Sequence, residues 1–208
     1  MNIENVTNAT RIGSCQLYQG ECNRKWSMIW DQNHNDQIRS NIGRIYLIVS
    51  RSSENGGEIK KIGKSECKGG MKNTFAFYQG GLGGSPSIRT FGIHHLIAGE
   101  LEAGNQVEIW GIWAESFEMN VPGLFGIQTM IGHPSIHVME EVCRNDYQTQ
   151  TGHLPPWNFQ EQGQPWPEWI QEAYKEQVAN RNSRNNTDNS VSDNIASIDS
   201  TNSGGTPV

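Results

Sequence analysis

Two β-branched runs, NIGRIYLIVSR (41–51) and IKKIGKS (59–65), flank the polar stretch SSENGGE, and this order predicts a hairpin. QVEIWGIWAE (106–115) alternates and predicts a further strand. In SPSIRTFGIHHLIAGELEAG (85–104), Ile93, Leu96, Ile97 and Leu101 fall on one helical face, with Ser85 or Ser87 as cap and Gly104 as stop. HPSIHVMEEVCRNDY (133–147) opens with Pro134 in a first turn and sets Ile136, Met139 and Cys143 at helical spacing. A last helix, PWPEWIQEAYKEQVA (165–179), presents Trp166, Ile170, Ala173 and Tyr174 as a stripe. KWSMIWDQNHNDQIRS (25–40) predicts a short helix packing Trp26, Ile29 and Trp30. Glu66 to Ser87, dense in Gly around Phe75, Phe77 and Tyr78, reads as a long loop. Strand, strand, helix, strand, helix, helix is the order of an α+β domain, an antiparallel sheet with helices on its faces.

Composition limits the folded part. The 208 residues are 35% hydrophobic, with a mean hydropathy of −0.63. From Asn180 onward no aromatic residue occurs, and such a segment buries too little apolar surface to offset its ordering entropy. The organisation expected is an extension over 1–38, a domain over 39–179 and a disordered tail over 180–208. No run approaches the roughly 18 apolar residues that span a bilayer, and the N-terminus lacks a charged-then-apolar signal layout. Cys15, Cys22, Cys67 and Cys143 have no CxxC spacing, so reduced thiols, no membrane and a cytoplasmic setting are expected.

Charge complicates the formal net of −6. Between Arg39 and Arg89, nine cations face three glutamates, whereas Thr90 to Cys143 holds seven glutamates and no Lys or Arg. Segregation of this kind allows a basic face on an acidic chain, and hence a polyanionic partner.

The tripeptide RIY (44–46), then KIG (61–63), Arg89 opening a helix, Glu140 in VMEEV and PPWN (155–158) occur in an order that resembles the GIY-YIG nucleases over about 42–158. The family pattern has Gly at the place of Arg44 and Tyr at the place of Lys61. The resemblance implies a three-stranded antiparallel sheet flanked by helices and a metal-dependent DNA endonuclease, of the restriction or phage type. It implies Tyr46 as general base, with Lys61 and Lys64 favouring its phenolate, Arg89 on phosphate, Glu140 on Mg²⁺ or Mn²⁺, and Asn158 orienting the site. Glu141 is the alternative metal ligand, and His133, His137 and Glu140 form a competing zinc set. His94 is the helix histidine expected to reach phosphate or assist the base. Lys64, Lys68 and Lys72 are expected on DNA, the last two from the glycine-rich segment. Since one centre cuts one strand, a homodimer would cut both. A non-catalytic nucleic-acid binder on the same fold is the alternative, favoured by the acidic total and by Lys61.

Overall fold

A strand buried on both faces needs a neighbour on each edge and a layer on each side, and Arg44–Ser52 has both: every residue from Arg44 to Ser50 is buried. The structure is a computed structural model describing residues 1–18, 25–40, 42–52 and 56–198, with side chains described to 183. Its elements are β1 (Thr10–Leu17), β2 (Trp26–Trp30), α1 (Asn35–Arg39), β3 (Arg44–Ser52), β4 (Gly56–Lys64), α2 (Gly70–Gln79), α3 (Ile88–Glu102), β5 (Gln106–Trp113), β6 (Phe117–Gly123), β7 (Gly126–Gly132), α4 (Ile136–Thr151) and α5 (Glu168–Ile198). The chain divides into two compact units, Met1–Pro165 and the remainder from Trp166.

The α+β class and the antiparallel sheet are as expected, but the sheet has five strands rather than three, in the order β2-β1-β5-β3-β4. The two extra strands come from the segment expected as an extension. WSMIW alternates, and as a strand it turns Trp26 inward and stacks its ring on His94 at 5.5 Å, leaving Ile29 exposed. The helix expected over 25–40 is confined to α1, after a 3-10 turn capped by Asp31, whose Oδ1 accepts from Asn33 N at 3.0 Å. The turn at 53–55 and Cys22 lie outside the described residues. Cys15, Cys67 and Cys143 are free thiols, and burial pushes Cys143 up to about 11.

Each face of the sheet holds a core. Ile45, Leu47, Val49, Ile59 and Ile62 pack with Tyr147 and Met139 of α4. On the other face Tyr46 meets Phe75 of α2 edge-on, at 5.2 Å. Each fully buried aliphatic side chain here stabilises by about 1.5–3 kcal/mol. The glycine-rich segment expected as a loop is the helix α2, which buries Met71, Thr74, Phe75 and Tyr78 at spacings of three and four. Glycines bracket this helix without interrupting its middle, so composition disguises the period. The hairpin β6–β7 was not expected; it pairs with no other strand among the described residues.

The segment from Asn180, expected as disordered, continues α5 as far as Ile198. Nothing between Glu168 and Ile198 is Gly or Pro, so no residue there breaks a helix begun after Pro167. Residues 199–208 lie outside the described residues. No described helix is long and apolar enough to cross a membrane.

Candidate active site

Register places the first two candidates. Tyr46 of β3 lies opposite Gly63 of β4 and Gly111 of β5, and Lys61 lies opposite Ile48. Directly opposed residues share a face, so Tyr46 and Lys61 project to the same side, whereas Lys64, opposite Ile45, projects to the other. The glycine of KIG has a steric role. A Cβ at position 63 would collide with the Tyr46 ring and hydroxyl, so the ring lies flat across β4 only because Gly63 has no side chain.

Around Tyr46 the site is built by α2 and α3. The Tyr46 hydroxyl shares a hydrogen bond of 2.7 Å with the Tyr78 hydroxyl, and Arg89, at the start of α3, is hydrogen-bonded to it as well. Burial pushes the Tyr46 phenol well above its ordinary value, with Tyr78 adding to the rise and Arg89 opposing it. Burial would lower the Arg89 guanidinium, but Tyr78, Tyr46 and Glu161 hold it above the ordinary arginine range. The cation against Tyr46 is therefore Arg89. The field expected from Lys61 and Lys64 is not what perturbs the phenol.

Lys61 is 2% exposed. Burial, with Arg89 adding, lowers its ammonium to about 8, and Glu161 and Glu140 partly offset this. Glu140 is 5% exposed on α4, whereas Glu141 faces solvent. Lys64 Nζ stands 3.2 Å from Glu140 Oε2 and 2.8 Å from His137 Nδ1. His137 Nε2 is 2.9 Å from Glu66, so both ring nitrogens are engaged. Among the described residues no three His, Cys, Asp or Glu are grouped to hold a metal, and the zinc set of His133, His137 and Glu140 does not form. Glu140 is engaged by the Lys64 ammonium, which a hard divalent ion taking its other ligands from water and phosphate oxygens would have to displace.

Asn158 is fully buried and acts on the backbone. Its Oδ1 accepts from Ile62 N at 3.0 Å and its Nδ2 donates to Ile62 O at 2.8 Å. Trp157 N donates to Lys60 O at 2.8 Å, so PPWN covers the outer edge of β4 beside Lys61. His94, expected to reach phosphate, is instead 0% exposed. Its Nδ1 lies 2.9 Å from the carbonyl of Tyr78 and its ring is stacked on Trp26, because this turn of α3 faces the sheet. Through the Tyr78 carbonyl it stands behind the centre rather than in it. Lys68 and Lys72 are exposed, before and within the first turn of α2.

Part of the segregated positive charge is internal. Arg44 is 2% exposed and donates to Ser65 O at 3.0 and 2.8 Å and to Cys67 O at 2.8 Å, locking the exit from β4. Arg51 pairs with Glu4 and Glu108, and Lys60 with Glu58. Sequence reasoning missed Tyr78, Arg144 and Glu161, the last two 3.8 Å apart and both acting on Lys61. The spacing Phe75–Tyr78 was the available signal for Tyr78. An open apolar cavity of about 850 Å³, lined by Leu47, Ile62, Ile112, Val138 and Met139 among others, lies on the face away from Tyr46.

No family model matches the chain, and no curated protein matches it. Solved structures similar to it include the following two. A mutant of bacteriophage T4 EndoII has 17% identity and a TM-score of 0.44, over 71% of this chain and 90% of that one. The restriction endonuclease HPY188I in complex with product DNA has 16% identity and a TM-score of 0.41, over 74% of this chain and 84% of that one.

Proposed function

We propose that this chain is a divalent-metal-dependent DNA endonuclease of the GIY-YIG type, acting in restriction or in phage defence and attack. The observation that carries the reading is that Tyr46 and Lys61 share one face of the sheet with Arg89 acting on both, and that buried Glu140 stands near enough to act on Lys61. Phosphodiester hydrolysis needs an activated water, neutralisation of charge developing on phosphorus-bound oxygens, and a stabilised leaving oxygen. Arg89 offers a planar, always-charged fork to phosphate oxygens. Glu140 would hold one Mg²⁺ or Mn²⁺, which when bound supplies Lewis-acid neutralisation of the phosphate.

Proton acceptance falls to Lys61. Tyr46 keeps its proton at neutral pH and orients the attacking water with Arg89 beside it. Lys61, in part neutral near pH 8, supplies the basic capacity that a second tyrosine would not. Lys64 neutralises Glu140 until metal and DNA arrive, and Lys68 and Lys72 extend the cationic surface along the path of the backbone.

Purified protein incubated with plasmid DNA and Mg²⁺ or Mn²⁺ tests this reading, alongside Tyr46→Phe, Arg89→Ala and Glu140→Gln. Cutting that needs metal and falls at least a hundredfold in each variant is expected. Discrete fragments would favour the restriction role and a smear would remove it. Salt-sensitive DNA binding with no cutting would replace the nuclease by a binder on the same fold.

A further inference from the structure

The hairpin β6–β7 plays no part in the site, and its surface is unusual. Leu124 and Phe125 at its tip are 96% and 100% exposed, and Ile127 and Ile131 on β7 are 75% and 72% exposed. An isolated two-stranded hairpin is marginally stable in water, and three or more strands with an apolar face are needed for independent stability. Something should therefore complete it.

The two edges differ in a way that says where. β6 carries Glu118 and Pro122, a charge and a proline, both of which oppose the addition of a strand. β7, Gly126 to Gly132, carries neither. The two-residue tip closes on the pair Gly123–Gly126, so by alternation Ile127, Thr129 and Ile131 turn their backbone N–H and C=O groups away from β6. About Thr129 the strand is symmetric in character, with isoleucine two residues away on either side and glycine at each end. A second β7 laid antiparallel, with the two-fold axis at Thr129, brings Ile127 opposite the partner's Ile131 and sets no like charges face to face. A nucleic-acid occupant fits poorly, since no Lys or Arg lies between Thr90 and Cys143 to meet phosphate.

We propose that β7 is a dimerisation strand: two copies of this chain join by antiparallel β7–β7 pairing centred on Thr129, turning two exposed hairpins into one four-stranded sheet. The inference does not rest on the nuclease reading. If that reading holds, the dimer supplies the second centre needed to cut both strands.

Sedimentation velocity on the full chain, without DNA, tests it. The parent should be a dimer, and Thr129→Lys and Thr129→Glu should each weaken association at least tenfold, because identical charges then meet at the axis. Mixing the two variants should restore a dimer, since lysine then faces glutamate. A monomeric parent overturns the proposal, as do variants that associate like the parent or a mixture that fails to recover. Variants that lose DNA binding while keeping the parent's oligomeric state would overturn it in favour of an apolar wedge into DNA.

Discussion

At Lys61, burial and Arg89 disfavour the ammonium while Glu161 and Glu140 favour it, and the balance can be read in two measurements. Below about pH 8 the ammonium is charged in both folded and unfolded chains, and the folded chain bears its desolvation. Between about 8 and the ordinary lysine value the unfolded chain binds more protons, so stability rises with pH; above that range the lysine is neutral in both states. Lys61→Met should therefore unfold at higher urea than the parent at pH 7, by up to about 3 kcal/mol, with the gap closing towards pH 10. A gap of constant size across that range would mean that no buried charge is being relieved. Cutting by the parent should rise with pH through about 8, and Lys61→Met should lose that rise together with most of its activity. Gly63→Ala addresses geometry alone. Its methyl group must move the Tyr46 ring, so an activity loss of tenfold or more is expected, with overpacking costing about 1–3 kcal/mol in urea unfolding. Tyr46, Lys61, Arg89 and Glu140 could be singled out as candidates because a short ordered motif names them. The interior position of His94 was not, since a histidine at helical spacing reads alike on either face until the opposing Trp26 is placed.

Among the elements, β4 depends on the segment that covers its edge. Asn158→Ala leaves the N–H and C=O of Ile62 buried without their partners, a cost of about 2–4 kcal/mol. Asn158→Asp keeps an acceptor but sets a carboxylate against the Ile62 carbonyl, so it should be no better. Thermal unfolding should show both variants lowered by roughly 5–15 °C. Unchanged melting would mean that PPWN does not fasten the strand. Strands β3 and β5 and helices α3 and α4 were legible from period and caps: Ser87 Oγ accepts from Thr90 N at 3.2 Å, and Gly104 takes a φ of +83° just beyond α3. α2 was hidden by the glycines at its ends. β2 was hidden because a five-residue run with tryptophans at both ends satisfies helix and strand patterns alike.

For the whole molecule, β1 and β2, within the first thirty residues, belong to the sheet. The same residues supply Ile3, Ile12 and Trp26, all nearly fully buried, and β1 pairs with β5. Removing residues 1–30 forfeits roughly 6 kcal/mol of apolar burial, comparable to the entire stability of many domains, and bares the edge of β5. Such a truncation is expected to lose cooperative unfolding by circular dichroism. A shortened chain that melts as sharply as the parent would show β1 and β2 to be dispensable. The charge balance also changes meaning at this scale. Arg44, Arg51, Lys60 and Lys64 are engaged within the fold and Lys61 is buried, and the cations left to meet a polyanion are Arg39, Lys68 and Lys72, with half-buried Arg89. The sequence shows the count of charges, and only the fold shows which of them are already committed.

The unbroken burial of β3, from Arg44 to Ser50, has a consequence for how the molecule opens. Its amides are bonded to β4 on one side and β5 on the other, and no local fraying frees them. They should be among the slowest to exchange with deuterium, at rates set by global unfolding, while the hairpin β6–β7 exchanges through small excursions of its own. Tyr46 is thus anchored in the part of the chain that yields last.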